Sequence, residues 1–219
     1  MKSAISFTLF FILIQVAHAV TSCNLMLNPN ISLTLGLPKE GIKLIDYNLY
    51  ENSEKILFLS DDNEAGFLLG KSISEHFPQK KVFSTGILFQ DTSIKENYTK
   101  MNLDNRAPFP FNDNSFDTII MRKGICVCHG NYACGGFCAT NDEAKVFFER
   151  VIKVLDKNNP NSLAILHGEA QLNQNFDTEW KKHFEGLEEK YNVQVFFYYI
   201  QRVNNRLLHS ILVAPNAGL

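Results

Sequence analysis

The sequence predicts an α/β fold: a doubly wound, mainly parallel sheet closed by a C-terminal antiparallel strand. Three observations carry this. From Lys55 on, short apolar runs alternate with amphipathic stretches, the order expected of strands separated by covering helices. The run Ile56-Leu57-Phe58-Leu59 is continuously apolar, as a strand buried on both faces must be. The last two strand-like segments are joined only by Asn204-Asn205, a turn so short that they must run antiparallel.

Each element follows in order. Residues 24–50 hold Pro29, Pro38 and scattered Leu, and read as an arm with a short helix near Ile42 to Tyr50. After the first strand, Asp61, Asp62 and Asn63 each suit a helix N-cap. The helix they open runs to about His76, with Phe67, Leu68, Ile73 and Phe77 on one side, and Pro78 ends it. Lys81 to Phe89 is a second strand, Asp91 to Asn97 a polar loop, and Tyr98 to Leu103 a short third strand. Phe116 to Met121 is the fourth, and Gly124, Gly130, Gly135 and Gly136 make the next stretch loop-like. Asn141-Asp142-Glu143 caps an amphipathic helix with Val146, Phe147, Val151, Val154 and Leu155 near one face. A break at Lys157-Asn158-Asn159-Pro160 leads to the strand Ser162 to His167. Thr178 to Lys190 is a helix with Trp180, Phe184 and Leu187 at helical spacing, and Val193 to Gln201 and Leu207 to Val213 close the chain.

The bulk numbers fit one globular domain. The 219 residues are enough for a full-sized core, and 45% hydrophobic with 20% charged content is not that of a disordered chain. A net charge of −2 gives no reason to expect nucleic acid or an anionic membrane as partner. Residues 1–22 stand apart as a signal peptide: Lys2, then an apolar run from Ile5 to Val16 too short to span a bilayer, then the small-x-small site Ala17-His18-Ala19. Val20-Thr21-Ser22-Cys23 also resembles a bacterial lipobox, which would make Cys23 a lipidation site and the only link to a membrane. The expected organisation is therefore 1–22 signal peptide, 23–51 N-terminal arm and 52–219 α/β domain, in a chain that is exported, either to the periplasm, to a lipid-anchored state, or secreted. Asn30-Ile31-Ser32 and Asn97-Tyr98-Thr99 match the glycosylation sequon.

The segment Pro108-Phe109-Pro110, Asn112-Asp113-Asn114-Ser115-Phe116-Asp117 and the stretch Phe147 to Leu155, reading FFERVIKVL, carry a family likeness. With the closing strand pair, they resemble the class I S-adenosylmethionine-dependent methyltransferases, a Rossmann-like family whose members often read LPFPDNSFD before the fourth strand. The resemblance covers roughly residues 52 to 215. It implies S-adenosylmethionine as cofactor, bound by the loop after the first strand. Family members place a loop like Asp-x-Gly-x-Gly-x-Gly there, because glycine lets the backbone approach the ligand. This chain has Ser60-Asp61-Asp62-Asn63-Glu64-Ala65-Gly66 instead. The resemblance puts Ser60, Asp61, Asp62 and Gly66 at the cofactor. The carboxylates suit the ligand's ammonium group, and they equally suit a helix N-terminus. Asp104 and Asn105, before the Pro-Phe loop, fall where members often hold the adenine amine; they are also ordinary turn formers. No acidic residue stands at the end of the second strand, where Thr85-Gly86 lie.

The loop after the fourth strand holds Cys126, Cys128, His129, Cys134 and Cys138. That end of a parallel strand faces the ligand crevice. Three readings stay open: two disulfides in an oxidising compartment, a zinc site, or functional thiols. His129 is a candidate general base, since imidazole titrates near neutrality. Arg122, Lys123, His167 and Glu169 lie at the same end of the sheet by topology. Two functions compete: a methyltransferase acting on a small molecule or a protein, and an exported relative without catalysis that binds a metal, small ligand or partner protein through the cysteine loop.

Overall fold

The computed structural model describes residues 24–25, 42–43, 47–61, 68–90, 92–121, 126–127, 138–139, 141–171, 176–203 and 206–216. The chain forms two compact units, Met1–Leu49 and Tyr50–Leu219. In the first, β1 (Asn24–Leu25) and β2 (Ile42–Lys43) pair antiparallel, Asn24 opposite Lys43. Where the sequence predicts a helix near Ile42 to Tyr50, the described residues form the strand β2 and the 3-10 turn Tyr47–Tyr50. The proposed signal segment, Cys23 and the Asn30 sequon lie outside the described residues.

The second unit is built on a sheet of ten strands among the described residues. They are β3 (Lys55–Leu59), β4 (Lys81–Gly86), β5 (Ser93–Lys95), β6 (Tyr98–Asn102), β7 (Thr118–Met121), β8 (Cys126–Val127), β9 (Cys138–Ala139), β10 (Leu163–Gln171), β11 (Val193–Val203) and β12 (Arg206–Pro215). The main path runs β11-β12-β10-β7-β3-β4-β6-β5. The stretch from β10 to β6 is parallel throughout. β12 enters between β10 and β11, antiparallel to both, with Val203 opposite Arg206 across the short turn. β5, in the segment read as loop, pairs antiparallel with β6 at the far edge. The helices are α1 (Leu69–His76), α2 (Asn141–Val154) and α3 (Phe176–Tyr191).

Both faces of the central strands are buried, so alternate residues of one strand serve two cores. On one face Leu57, Leu59, Ile119, Met121, Ala164, Leu166, Ile211 and Val213 join Phe147 and Val151 of α2, Leu155 just after it, and Phe184 and Leu187 of α3. The intervening residues Ile56, Phe58, Ile120, Ile165 and Leu212 are just as buried, as are Leu69 and Ile73 of α1. Val146, expected on the apolar side of α2, is 45% exposed. The buried stripe passes through Ala144, Phe147, Phe148 and Val151, and the helical period leaves Val146 off it.

The Pro-Phe segment is largely a packing device. Phe109 and Phe111 bridge the sheet and α2 through edge-to-face contacts: Phe111 to Phe83 at 6.1 Å, Phe111 to Phe116 at 4.9 Å, Phe109 to Phe147 at 5.8 Å. Arg150 of α2 donates to the carbonyls of Arg106 and Ala107 at 2.8 and 2.9 Å and fixes the start of the segment. Asn114 takes a left-handed conformation at φ 55° and turns the chain into β7. The Asp117 carboxylate then accepts the backbone N–H groups of Glu54 and Lys55, both at 2.8 Å, and the Asn159 amide at 2.9 Å. One side chain thus ties β7 to the start of β3 and to the turn after α2. The Asn97 amide donates to the carbonyls of Ser74 and Phe77 at 3.0 and 3.1 Å, so a glycan at this sequon would break both bonds at the end of α1.

Candidate functional site

Parallel sheets bind ligands outside the carboxyl ends of their strands, at the point where the strand order reverses. Here that point lies between β3 and β7: the chain runs outward through β4 and β6, then returns to β7 and continues to the other side. Ser60 and Asp61 leave β3 at this place.

Asp61 is 2% exposed and its carboxylate is fully engaged. One oxygen accepts the Leu69 N–H at 3.0 Å; the other accepts the Gly70 N–H at 2.9 Å and the Ser84 hydroxyl at 2.7 Å. A carboxylate at the first N–H groups of a helix satisfies orphan donors and meets the positive end of the helix dipole. The Asp61 backbone N–H also donates to Thr85 at 2.9 Å. One residue therefore joins β3, β4 and α1. The helix begins at Leu69, not just after Asp61 to Asn63, because the capping group reaches it from eight positions upstream; Leu68 is still extended. Gly70 is required by this closeness. A Cβ built there would lie 2.9 Å from the Phe58 ring and 3.0 Å from the Asp61 carboxylate, and nearer still to the Ser84 hydroxyl.

Ser60 adopts φ 52°, a left-handed turn at the strand end. Its hydroxyl accepts the Asn105 amide N–H at 2.7 Å. Asn105 is 3% exposed, and its carbonyl oxygen, also buried, has no hydrogen-bond partner among the described residues. Asp104 beside it is held by Arg106 through a paired contact at 2.6 to 3.0 Å. The Arg106 guanidinium keeps the Asp104 carboxyl below the ordinary carboxylate range. Beside Ser84 and Asp61 the Tyr98 hydroxyl is buried with no well-formed hydrogen bond among the described residues. Burial pushes its phenol up to about 12, the adjacent Ser84 hydroxyl opposing this and the Asp61 charge adding to it.

Of the residues singled out in sequence, the structure brings Ser60, Asp61, Asp104 and Asn105 to the ends of β3 and β6. Asp62, Gly66, Cys128, His129 and Cys134 lie outside the described residues. Cys126 and Cys138 fall in β8 and β9, which pair parallel with each other, while β8 also pairs with the outer half of β10. Among the described residues, no group of three or more His, Cys, Asp and Glu is arranged to hold a metal ion. β4 ends at Gly86, whose carbonyl accepts the Leu103 N–H at 3.3 Å. Sequence reasoning missed Ser84, Tyr98 and Gly70. The one available signal was Gly70, a glycine inside a helical pattern, which marks a close approach.

A parallel sheet wrapped by helices, with its last strand inserted antiparallel beside β10, decides the architecture. This is a class I methyltransferase fold. No family model and no curated protein sequence matches the chain. Among solved structures it is similar to an rRNA methylase from Streptococcus thermophilus, with a TM-score of 0.46 and 10% identity over 78% of this chain and 94% of that one. It is also similar to M. jannaschii TYW2 in complex with AdoMet, at 0.43 and 10%, covering 78% and 72% of the two chains. Trm5b from Pyrococcus abyssi gives 0.45 and 13%, covering 87% of this chain and 50% of that one.

Two outcomes follow from this geometry. Gly70→Ala lowers stability by about 1–3 kcal/mol in urea unfolding, since the new methyl displaces either Ser84 or the Asp61 clamp. Tyr98 has a folded-state pKa above its unfolded value, so its titration costs the fold nothing below about pH 10 and destabilises it progressively as pH rises toward about 12. A 295 nm absorbance titration of wild type minus Tyr98→Phe shows this late-ionising phenol, and the substitution itself leaves stability at neutral pH unchanged or raised, because it removes a poorly bonded buried hydroxyl.

Proposed function

We propose that the chain is a methyltransferase that binds S-adenosylmethionine at the ends of β3, β4 and β6, and that its N-terminal segment directs it to export. The observation that carries the donor site is the Asn105 carbonyl oxygen. It is buried, it is held in place through the Ser60 bond, and it has no partner among the described residues. A buried acceptor left unpaired costs about 1–3 kcal/mol, which a ligand N–H such as the adenine amine would relieve. The position agrees with what the family resemblance implies for Asp104 and Asn105.

In this reading Asp61 is a positioning residue. Its oxygens hold α1 and β4 rather than ligand, and so set where Ser60 and Asn105 stand. When bound, the donor supplies an electrophilic methyl group. The chain orients the reactants and excludes water, so no protein nucleophile is needed. His129 is the proposed base for a substrate proton. The substrate is a small molecule or a protein.

A second reading keeps the fold without methyl transfer, with the cysteine loop as the binding element. The sequence of residues 60–66 favours it, since Asp61, Asp62, Asn63 and Glu64 replace the small residues expected near a methionine group. Melting curves with S-adenosylmethionine and S-adenosylhomocysteine separate the two. Ligand at a hundred times its Kd stabilises the folded state by about 2.7 kcal/mol, a rise of several degrees in Tm. Asn105→Ala is expected to weaken binding at least about tenfold, in line with the loss of one or more bonds to a buried polar group. Unchanged melting with both ligands favours the second reading.

A further inference from the structure

We infer that Cys126 and Cys138 form a disulfide that fixes β9 to β8 at the outer end of the sheet. The backbone places them as direct partners: in the parallel β8–β9 ladder Cys126 is in register with Cys138 and Val127 with Ala139. Neighbouring strands lie about 4.8 Å apart, and residues in register project to the same face. A disulfide needs a Cα separation of about 4.4–6.8 Å, and the spacing of paired strands falls within that range. The other cysteine pairings do not have this support, because Cys128 and Cys134 are outside the described residues.

The location gives the bond a consequence. β10 pairs with β7 along Leu163 to Leu166 and with β8 at Glu169 and Ala170. β8 therefore continues the sheet past the end of β7. β9 pairs with the edge of β8 away from β10, which is the β3 side and the side of the strand-order reversal. α2 starts at Asn141, just after β9. A covalent link at Cys138 holds β9 and the entry to α2 against a strand anchored by β10. Two strands of two residues each have few ladder bonds of their own, so this pairing is where a crosslink adds most.

The chemistry is thiol–disulfide exchange. The two thiols release two protons and two electrons to an oxidant of the disulfide class, which leaves as two thiols while one S–S bond forms in the chain. Glutathione disulfide supplies it in the test, and export to an oxidising compartment would supply it in the cell.

The test maps thiols in the full chain and needs no methyl donor, so its failure is separate from failure of the donor site. Cys128→Ser is oxidised in a glutathione buffer, its free thiols are alkylated, and it is cut with trypsin and chymotrypsin. Cys126 must then choose between Cys134 and Cys138, which cleavage after Phe137 separates. The expected result is a linked pair of the fragments carrying Cys126 and Cys138, two hydrogens lighter than their sum and split by reductant, with Cys134 alkylated. A Cys126–Cys134 link, a link to Cys23, or alkylation of both Cys126 and Cys138 would overturn the inference. So would protection that ends when a chelator removes bound zinc. The variant Cys128→Ser/Cys134→Ser gives a second reading: Cys126 and Cys138 resist alkylation after oxidation if the inference holds and react fully if it does not.

Discussion

The Asp61 carboxylate holds this site together. It sits at the end of the first parallel strand, is shut off from solvent, and is met by two helix N–H groups and a serine hydroxyl. A buried charge is tolerated only when its bonding capacity is met, and helix orphans plus the dipole meet it here. The spacing follows from that requirement. α1 must present its first turn to Asp61, Gly70 must lack a side chain, and Ser84 must face the same point from β4. Ser60, one residue earlier, is left in a left-handed turn and becomes the support for Asn105.

A second set of contacts fixes the loop that carries Asn105. Arg150 grips the backbone at Arg106 and Ala107, and the Phe109 and Phe111 rings pass the restraint into the core beside Phe83, Phe116 and Phe147. Glu149, next to Arg150, accepts from Lys190 and Tyr191 and links α2 to α3. The loop is thus clamped from the helix layer while the strand end is clamped by Asp61. The two meet at the Ser60–Asn105 bond, where one acceptor is left over.

Much of the fold was legible because it rests on local signals. The apolar run at Ile56, the break at Pro78, the polar cap at Asn141 and the short link at Asn204 each have a physical meaning in isolation, and together they set the order of elements along the chain. The edge strand β5 was not legible: Ile94 is 74% exposed, and Ser93 and Lys95 are polar, so no buried face left a pattern. The late start of α1 was hidden for another reason. Asp61 was read as capping the residues next to it, but it caps a helix eight positions away, and only the folded chain shows that distance. At the site, Asp104 and Asn105 were found through the family-like motif. Ser84 and Tyr98 were not, because a serine or tyrosine in a strand has no sequence mark for what it faces.

The central claim is that Asp61 organises the strand end and the first turn of α1. Amide hydrogen exchange at Leu69 and Gly70 in wild type and Asp61→Asn tests it most directly. Loss of charge-assisted bonds worth about 1.5–3 kcal/mol predicts exchange at these two amides at least about tenfold faster in the variant, with the distant β11–β12 ladder little changed. Equal protection of Leu69 and Gly70 in both proteins would contradict the account.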